Sequence, residues 1–205
     1  MGNIVDDIRA NEDTFADRPF NEVDSLALAQ LSYARMPVNV PRLDAEATDV
    51  DLAMVGVRDL LRAECYDDMF GKVWSPSMNV DLLRAMCESP RWRDLRVGGY
   101  VDEFDPETTK QFSACVFDVG DGSSYVAFRG TDSTIVGWKE DFAMAFRRPV
   151  AAQESAARYL ADIAGRRDGP LMVGGHSKGG NLAVYAAANA PAAVQERLIA
   201  VFCHD

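Results

Sequence analysis

Apolar and polar positions repeat with two different periods along this chain, and the change between them divides it. In residues 24–36, Leu26, Leu28, Leu31, Tyr33 and Ala34 form the mostly buried face of a helix that Met36-Pro37 ends. The polar residues 1–20 before it read as a loosely docked arm, and 38–48, with Pro41, as loop. Met54, Val57, Leu60 and Leu61 predict a second helix over about 52–66, and a third covers about 79–88, closed by Ser89-Pro90. From residue 97 the period becomes two. Strands are predicted over 97–105, 112–119 and 125–129, the last two joined at the hairpin signal Gly120-Asp121-Gly122. A loop over 130–137, a helical run from Trp138 and an Ala-rich helix over 151–164 follow. A short strand at 171–173, a helix over 178–189 stopped by Pro191 and a strand at 198–203 end the chain.

An antiparallel hairpin followed by strands separated by helices calls for an α/β fold whose later strands run parallel through right-handed crossovers. No repeat or low-complexity linker divides the chain. One domain, 21–205, is expected after the arm 1–20, with a helical part at 21–95 and a sheet part at 96–205. The 205 residues, 48% of them hydrophobic, suffice for a sizeable core.

Charge changes the picture mainly by exclusion. The formal net charge is -11, and residues 1–70 carry fifteen acidic side chains against six arginines. Such a surface repels phosphate backbones and anionic headgroups, so nucleic acid is not an expected partner. No apolar run approaches the ~20 residues of a membrane span, so stable membrane insertion is not expected. The start, MGNIVDDIRANEDTF, has neither the basic nor the apolar region of a secretory leader, which leaves a cytoplasmic location as the expectation. Cys65, Cys87, Cys115 and Cys203 form no CxxC or Cys/His cluster, so reduced, buried thiols are expected, without structural zinc.

The candidate chemistry lies in Leu171-Met172-Val173-Gly174-Gly175-His176-Ser177-Lys178-Gly179-Gly180. Gly175-x-Ser177-x-Gly179 between an apolar strand and a helix is the pattern of a nucleophile elbow. The chain turns too sharply there for a Cβ two residues on either side of the serine. The turn exposes the Ser177 hydroxyl and points the Lys178 backbone N–H, at a helix N-terminus, toward a developing oxyanion. His176 points away within the turn and reads as structural, and the Lys178 side chain does not face its neighbour Ser177. The segment lacks the GxxxxGK[ST] spacing of a phosphate-binding loop. A second stretch, Phe128-Arg129-Gly130-Thr131-Asp132, ends a strand in a tight loop that offers a backbone N–H and a hydroxyl beside Ser177.

FRGTxxxxxxWxxD (Phe128 to Asp141) followed by GHSxGG (Gly175 to Gly180) resembles the class 3, fungal-type lipases of the α/β-hydrolases. The opening Asn21–Tyr33 is similar to an uncharacterised bacterial lipase-like family of that branch. The resemblance runs from about residue 20 to the end. It implies an α/β-hydrolase-type sheet with helices on both faces and a serine ester hydrolase with Ser177 as nucleophile. Thr131 and the Lys178 backbone would be its oxyanion donors, with Trp138 and Asp141 in a lid-forming or lid-supporting segment. Lys178 departs from the pattern, because those lipases usually carry an apolar residue there, and this puts a greasy entrance in doubt.

Such an enzyme needs an acid and then a His after the serine. After Ser177 the chain offers Glu196, away from the expected site, and His204 and Asp205 at the end of the strand beside the nucleophile strand. Triad acid and base are therefore expected beyond a C-terminal truncation, with His204 as an improvised base the alternative, and residues 1–205 alone are expected to be catalytically weak. The expected substrate is a small-molecule or lipid ester, and no metal or organic cofactor is implied. The terminal strand would offer an edge for self-association. The rival expectation is a non-catalytic module of the same fold that binds a partner.

Overall fold

The computed structural model describes residues 2–44, 46, 51–131, 135–144, 146 and 149–204. Its frame is a six-stranded sheet in sequential order: β1 (Met54–Gly56), β2 (Arg96–Asp105), β3 (Lys110–Asp118), β4 (Ser124–Phe128), β5 (Leu171–His176) and β6 (Leu198–His204). The first four strands pair antiparallel and the last three parallel, so the fold is mixed α/β. The helices are α1 (Ile4–Ala10), α2 (Glu22–Leu31), α3 (Tyr66–Phe70), α4 (Pro76–Glu88), α5 (Ile135–Met144), α6 (Ala151–Arg166), α7 (Lys178–Asn189) and α8 (Ala192–Gln195).

Strand side chains alternate between two cores. Cys115, Phe117, Tyr125, Ala127 and Met172 pack against α1, α2 and α4 on one face. Ala114, Val116, Val126, Phe128 and Val173 pack against α6 and α7 on the other. Helices therefore cover both faces, as expected, and the parallel half has the predicted order. Gly99, at φ 59, sits where β2 breaks register with β3, a backbone that disfavours a side chain.

Two expectations change in the N-terminal half. Residues 52–66 are not one helix: Met54–Gly56 pairs with Arg96–Gly98, and two short 3-10 turns (Val57–Leu60 and Ala63–Cys65) follow. Helical spacing of four apolar residues is weak over so short a span, and a partner strand outweighs it. Nor do the first twenty residues hang loosely. Asn3 and Asp6 cap α1 reciprocally, and Val5, Ile8 and Phe15 enter the core beside α4. Arg91 holds this segment down. Its buried guanidinium donates to the carbonyls of Asp13, Thr14, Arg18 and Pro19 and lies 4.0 Å above the Phe15 ring. Asp24 supplies the counter-charge through Arg91 Nε at 2.8 Å.

The cysteines are free, but only Cys115 is buried; Cys65 and Cys87 are half-buried and Cys203 is exposed. The cause for Cys203 is the alternation of β6, which turns Ile199, Val201 and Cys203 outward and Ala200, Phe202 and His204 inward. Among the described residues, no helix is long and apolar enough to cross a membrane.

Replacing Asp24 with Ala strands the Arg91 charge in the core and removes the Asp24 carboxylate that caps α2. Urea unfolding is expected to show a loss of about 3–5 kcal/mol, and a loss under ~1 kcal/mol would mean that solvent reaches the guanidinium.

Candidate functional site

The end of β5 and the start of α7 meet at Ser177, which takes φ 55 and ψ -128, a conformation that non-glycine residues rarely adopt. Three hydrogen bonds hold it. The Ser177 N–H donates to His204 O at 2.8 Å, and the Ser177 carbonyl accepts from Gly180 and Asn181 N–H at 2.9 and 3.3 Å. The flanking glycines are needed for space. A Cβ on Gly175 would lie 2.4 Å from the Gly179 carbonyl carbon, and one on Gly179 would lie 2.2 Å from Phe128 O. Helix α7 thus starts directly against the end of β4. Of its first-turn donors, the N–H groups of Lys178 and Gly179 have no acceptor among the described residues.

The loop after β4 closes in from the side. A Cβ on Gly130 would overlap Tyr33 Oη at 1.9 Å and crowd His176 O at 2.7 Å, so only glycine lets Thr131 follow beside the elbow. The Thr131 hydroxyl donates to the Asp141 carboxylate on α5. Burial pushes that carboxyl up from the usual range, while the Thr131 hydrogen bond and the Lys178 ammonium oppose the shift. With the hydroxyl so engaged, the Thr131 backbone N–H is its remaining donor. Asp132, the next residue of the motif, lies outside the described residues.

The Lys178 side chain runs inward. Its Nζ, fully buried, donates to Glu140 Oε2 at 2.8 Å and to Gln111 O at 2.7 Å. Glu140 also accepts the N–H groups of Gln111 and Ala152, both at 3.0 Å. The polar residue that departs from the lipase pattern therefore ties the elbow helix to α5 and β3 and puts no charge at the entrance. Trp138 and Phe142, on the same α5, are 67% and 72% exposed, beside the exposed Lys139.

Two histidines end β5 and β6 side by side, in register. His176 Nδ1 lies 3.0 Å from Tyr33 Oη, whose phenol is pushed up to about 12 by burial and by the Asp141 carboxylate. His204 Nε2 lies 2.9 Å from Ser25 Oγ, which is 2.8 Å from the buried Tyr125 hydroxyl. Burial, with a smaller contribution from His176, pulls the His204 imidazole below its ordinary 6.5. Its side chain thus faces α2, and only its carbonyl touches Ser177. Among the described residues no side chain is hydrogen-bonded to Ser177 Oγ. Glu196 lies just before β6, at the far end of the sheet from the elbow, and Asp205 is outside the described residues.

Sequence reasoning missed Ser25, Gln111, Glu140 and the place of Tyr33 in the site. One signal was present: a lysine in the first turn of an otherwise apolar helix requires a buried partner. Nothing local pointed to Glu140 as that partner.

Two outcomes follow. Lys178→Met leaves Glu140 buried and uncompensated, and urea unfolding is expected to register a loss of about 3–5 kcal/mol. Adding Glu140→Leu recovers only part of it, because the Gln111 and Ala152 N–H groups lose their acceptor. For His204 the folded value is depressed, so its contribution to stability is complete above pH 6.5 and falls away as pH drops toward the folded value. His204→Asn is expected to flatten the pH dependence of unfolding below 6.5, and an unaltered slope would deny the shift.

The Mbeg1-like family matches residues 86–205, more than half of the chain, and the chain belongs to it; the family stands in a lipase-like group. No curated protein and no solved structure matches the chain.

Proposed function

We propose, with membership of the Mbeg1-like family as the premise, that this chain carries the nucleophile elbow of a serine ester hydrolase of the class 3 lipase type. The observation that carries the reading is the backbone of Ser177. A serine at φ 55, flanked by glycines that admit no Cβ and followed by two unengaged helix N–H groups, is a costly arrangement with an evident use.

In this reading the Ser177 oxygen attacks the acyl carbonyl of a carboxylic ester. The Lys178 N–H and the Thr131 backbone N–H stabilise the oxyanion. Collapse breaks the bond to the alcohol, which leaves with the serine's proton, and water then releases the acid and restores the serine. A base must carry that proton. His204, kept mostly neutral near pH 7 by its depressed value, has the right protonation state. It would have to turn away from Ser25 to reach Ser177. The exposed Trp138 and Phe142 beside the site favour a substrate with an apolar part.

The rival reading, a binding module that retains the elbow for its fold, draws support from the occupied His204 imidazole. A fluorophosphonate probe separates the two. Labelling is expected at Ser177 and to vanish in Ser177→Ala. If the folded chain resists the probe at all pH values between about 6 and 9, the hydrolase reading of this chain fails and the binding module stands.

A further inference from the structure

Arg129 takes no part in the chemistry assigned to Ser177. It lines a cleft of about 840 Å³ bounded by the loop after α2, by α3 and by β2. We propose that this cleft binds a small organic phosphate monoester, an activity that does not depend on the hydrolase reading of Ser177.

Charge is the first argument. Arg35, Arg42, Lys72 and Arg129 line the cleft against two carboxylates, Asp68 and Asp102. This positive excess stands in a chain of formal net charge -11. The contrast is sharpest in residues 1–70, where fifteen acidic side chains outnumber six arginines, yet two of those arginines and one of the acids face the cleft. The excess is not consumed internally. Asp102 is shared, 2.9 Å from Arg129 Nη2 and 3.8 Å from Arg35 Nε. Arg42 and Lys72 have no carboxylate partner among the described residues. A phosphate monoester carries close to two negative charges near pH 7, which matches the excess, and arginine forks suit its oxygens. The acidic surface elsewhere repels polyanions and leaves a small anion as the fitting occupant.

Arg129 supplies a second observation. It is 7% exposed, and its Nε donates to nothing among the described residues. A buried donor without an acceptor is costly, and an anion seated against the guanidinium supplies one.

The cations are also placed in advance. The Arg35 N–H donates to Met69 O at 3.0 Å, which fixes the loop after α2 to α3. Tyr100 N–H donates to Pro41 O at 3.0 Å, and Leu43 N–H to Tyr100 O at 3.2 Å. That bridge lays the Arg42 guanidinium over the Tyr100 ring, 5.2 Å from its centre. The volume falls within the range of small-ligand sites, roughly 300–1,000 Å³, and leaves room for an organic body beside the phosphate. Val38 and Phe104, both exposed, offer that body an apolar wall.

The experiment is isothermal titration calorimetry of the intact chain with phenyl phosphate, in phosphate-free buffer at about pH 7.5, where the monoester is mostly dianionic. Saturable binding is expected. Phenyl sulfate, with the same ring and one charge, and inorganic phosphate, without the ring, are each expected to bind about tenfold more weakly or worse. Arg42→Gln and Lys72→Gln, at exposed positions that leave no ion pair broken, are each expected to weaken phenyl phosphate about tenfold. Arg9→Gln, which removes an exposed cation on α1 outside the cleft, is expected to leave binding unchanged.

Affinity for phenyl phosphate no tighter than about 10 mM overturns the proposal. So does an equal loss in all three variants, which would make the effect one of net charge. Inorganic phosphate binding as tightly as the ester removes the organic ligand, and phenyl sulfate doing so removes the dianion. Capture of the chain by vesicles of phosphatidate in phosphatidylcholine, with no response to phenyl phosphate, would replace the small molecule by a lipid surface.

Discussion

Everything at the candidate site hangs on the backbone of one residue. Holding Ser177 at positive φ costs on the order of 1–3 kcal/mol, and neighbours on three sides maintain it. The carbonyl of β6 takes its N–H, the first turn of α7 takes its carbonyl, and the end of β4 leaves no room beside Gly175 and Gly179. The parallel register of β4, β5 and β6 is what brings those three to the same edge of the sheet. A slip of any of these strands would turn side chains to the opposite face and release the turn at the same moment.

Two buried ion pairs fix the parts around this turn, and their value is positional. Asp24–Arg91 gathers four carbonyls of the first twenty residues onto the face of the sheet that α1, α2 and α4 cover. Lys178–Glu140 joins the elbow helix to α5, which in turn holds Asp141 against Thr131. Pairs of this kind contribute little net stability over an apolar replacement but are costly to break by halves. Each therefore makes the placement of a segment depend on an intact partner far away in sequence.

Much of this was legible in the chain. Alternation at 97–129 revealed three strands, and the run of glycines around Ser177 marked the turn with its strand and helix in the right places, because both signals are local. That His204 reaches the edge of the sheet beside Ser177 followed from a parallel strand at 198–203. What stayed hidden was decided by partners. Met54–Gly56 becomes a strand only because β2 offers an edge, and residues 1–20 look polar and loose until Arg91 meets them. The polar contacts of Tyr33, Ser25 and Glu140 cross the molecule, so no window of sequence contains both members of any of them.

The same distance has a bearing on how the molecule forms. Tyr33 meets His176 across 143 positions and Ser25 meets His204 across 179. Closing spans of that length sacrifices chain entropy before any contact rewards it, which slows folding. During synthesis the hairpin of β3 and β4 is complete long before β6 leaves the ribosome. The end of β5 therefore stays open, with the contacts of His204 to Ser25 and to the Ser177 N–H unmade, until β6 arrives. Assembly of the site therefore waits for β6, and the interval before it leaves the end of β5 exposed to wrong partners.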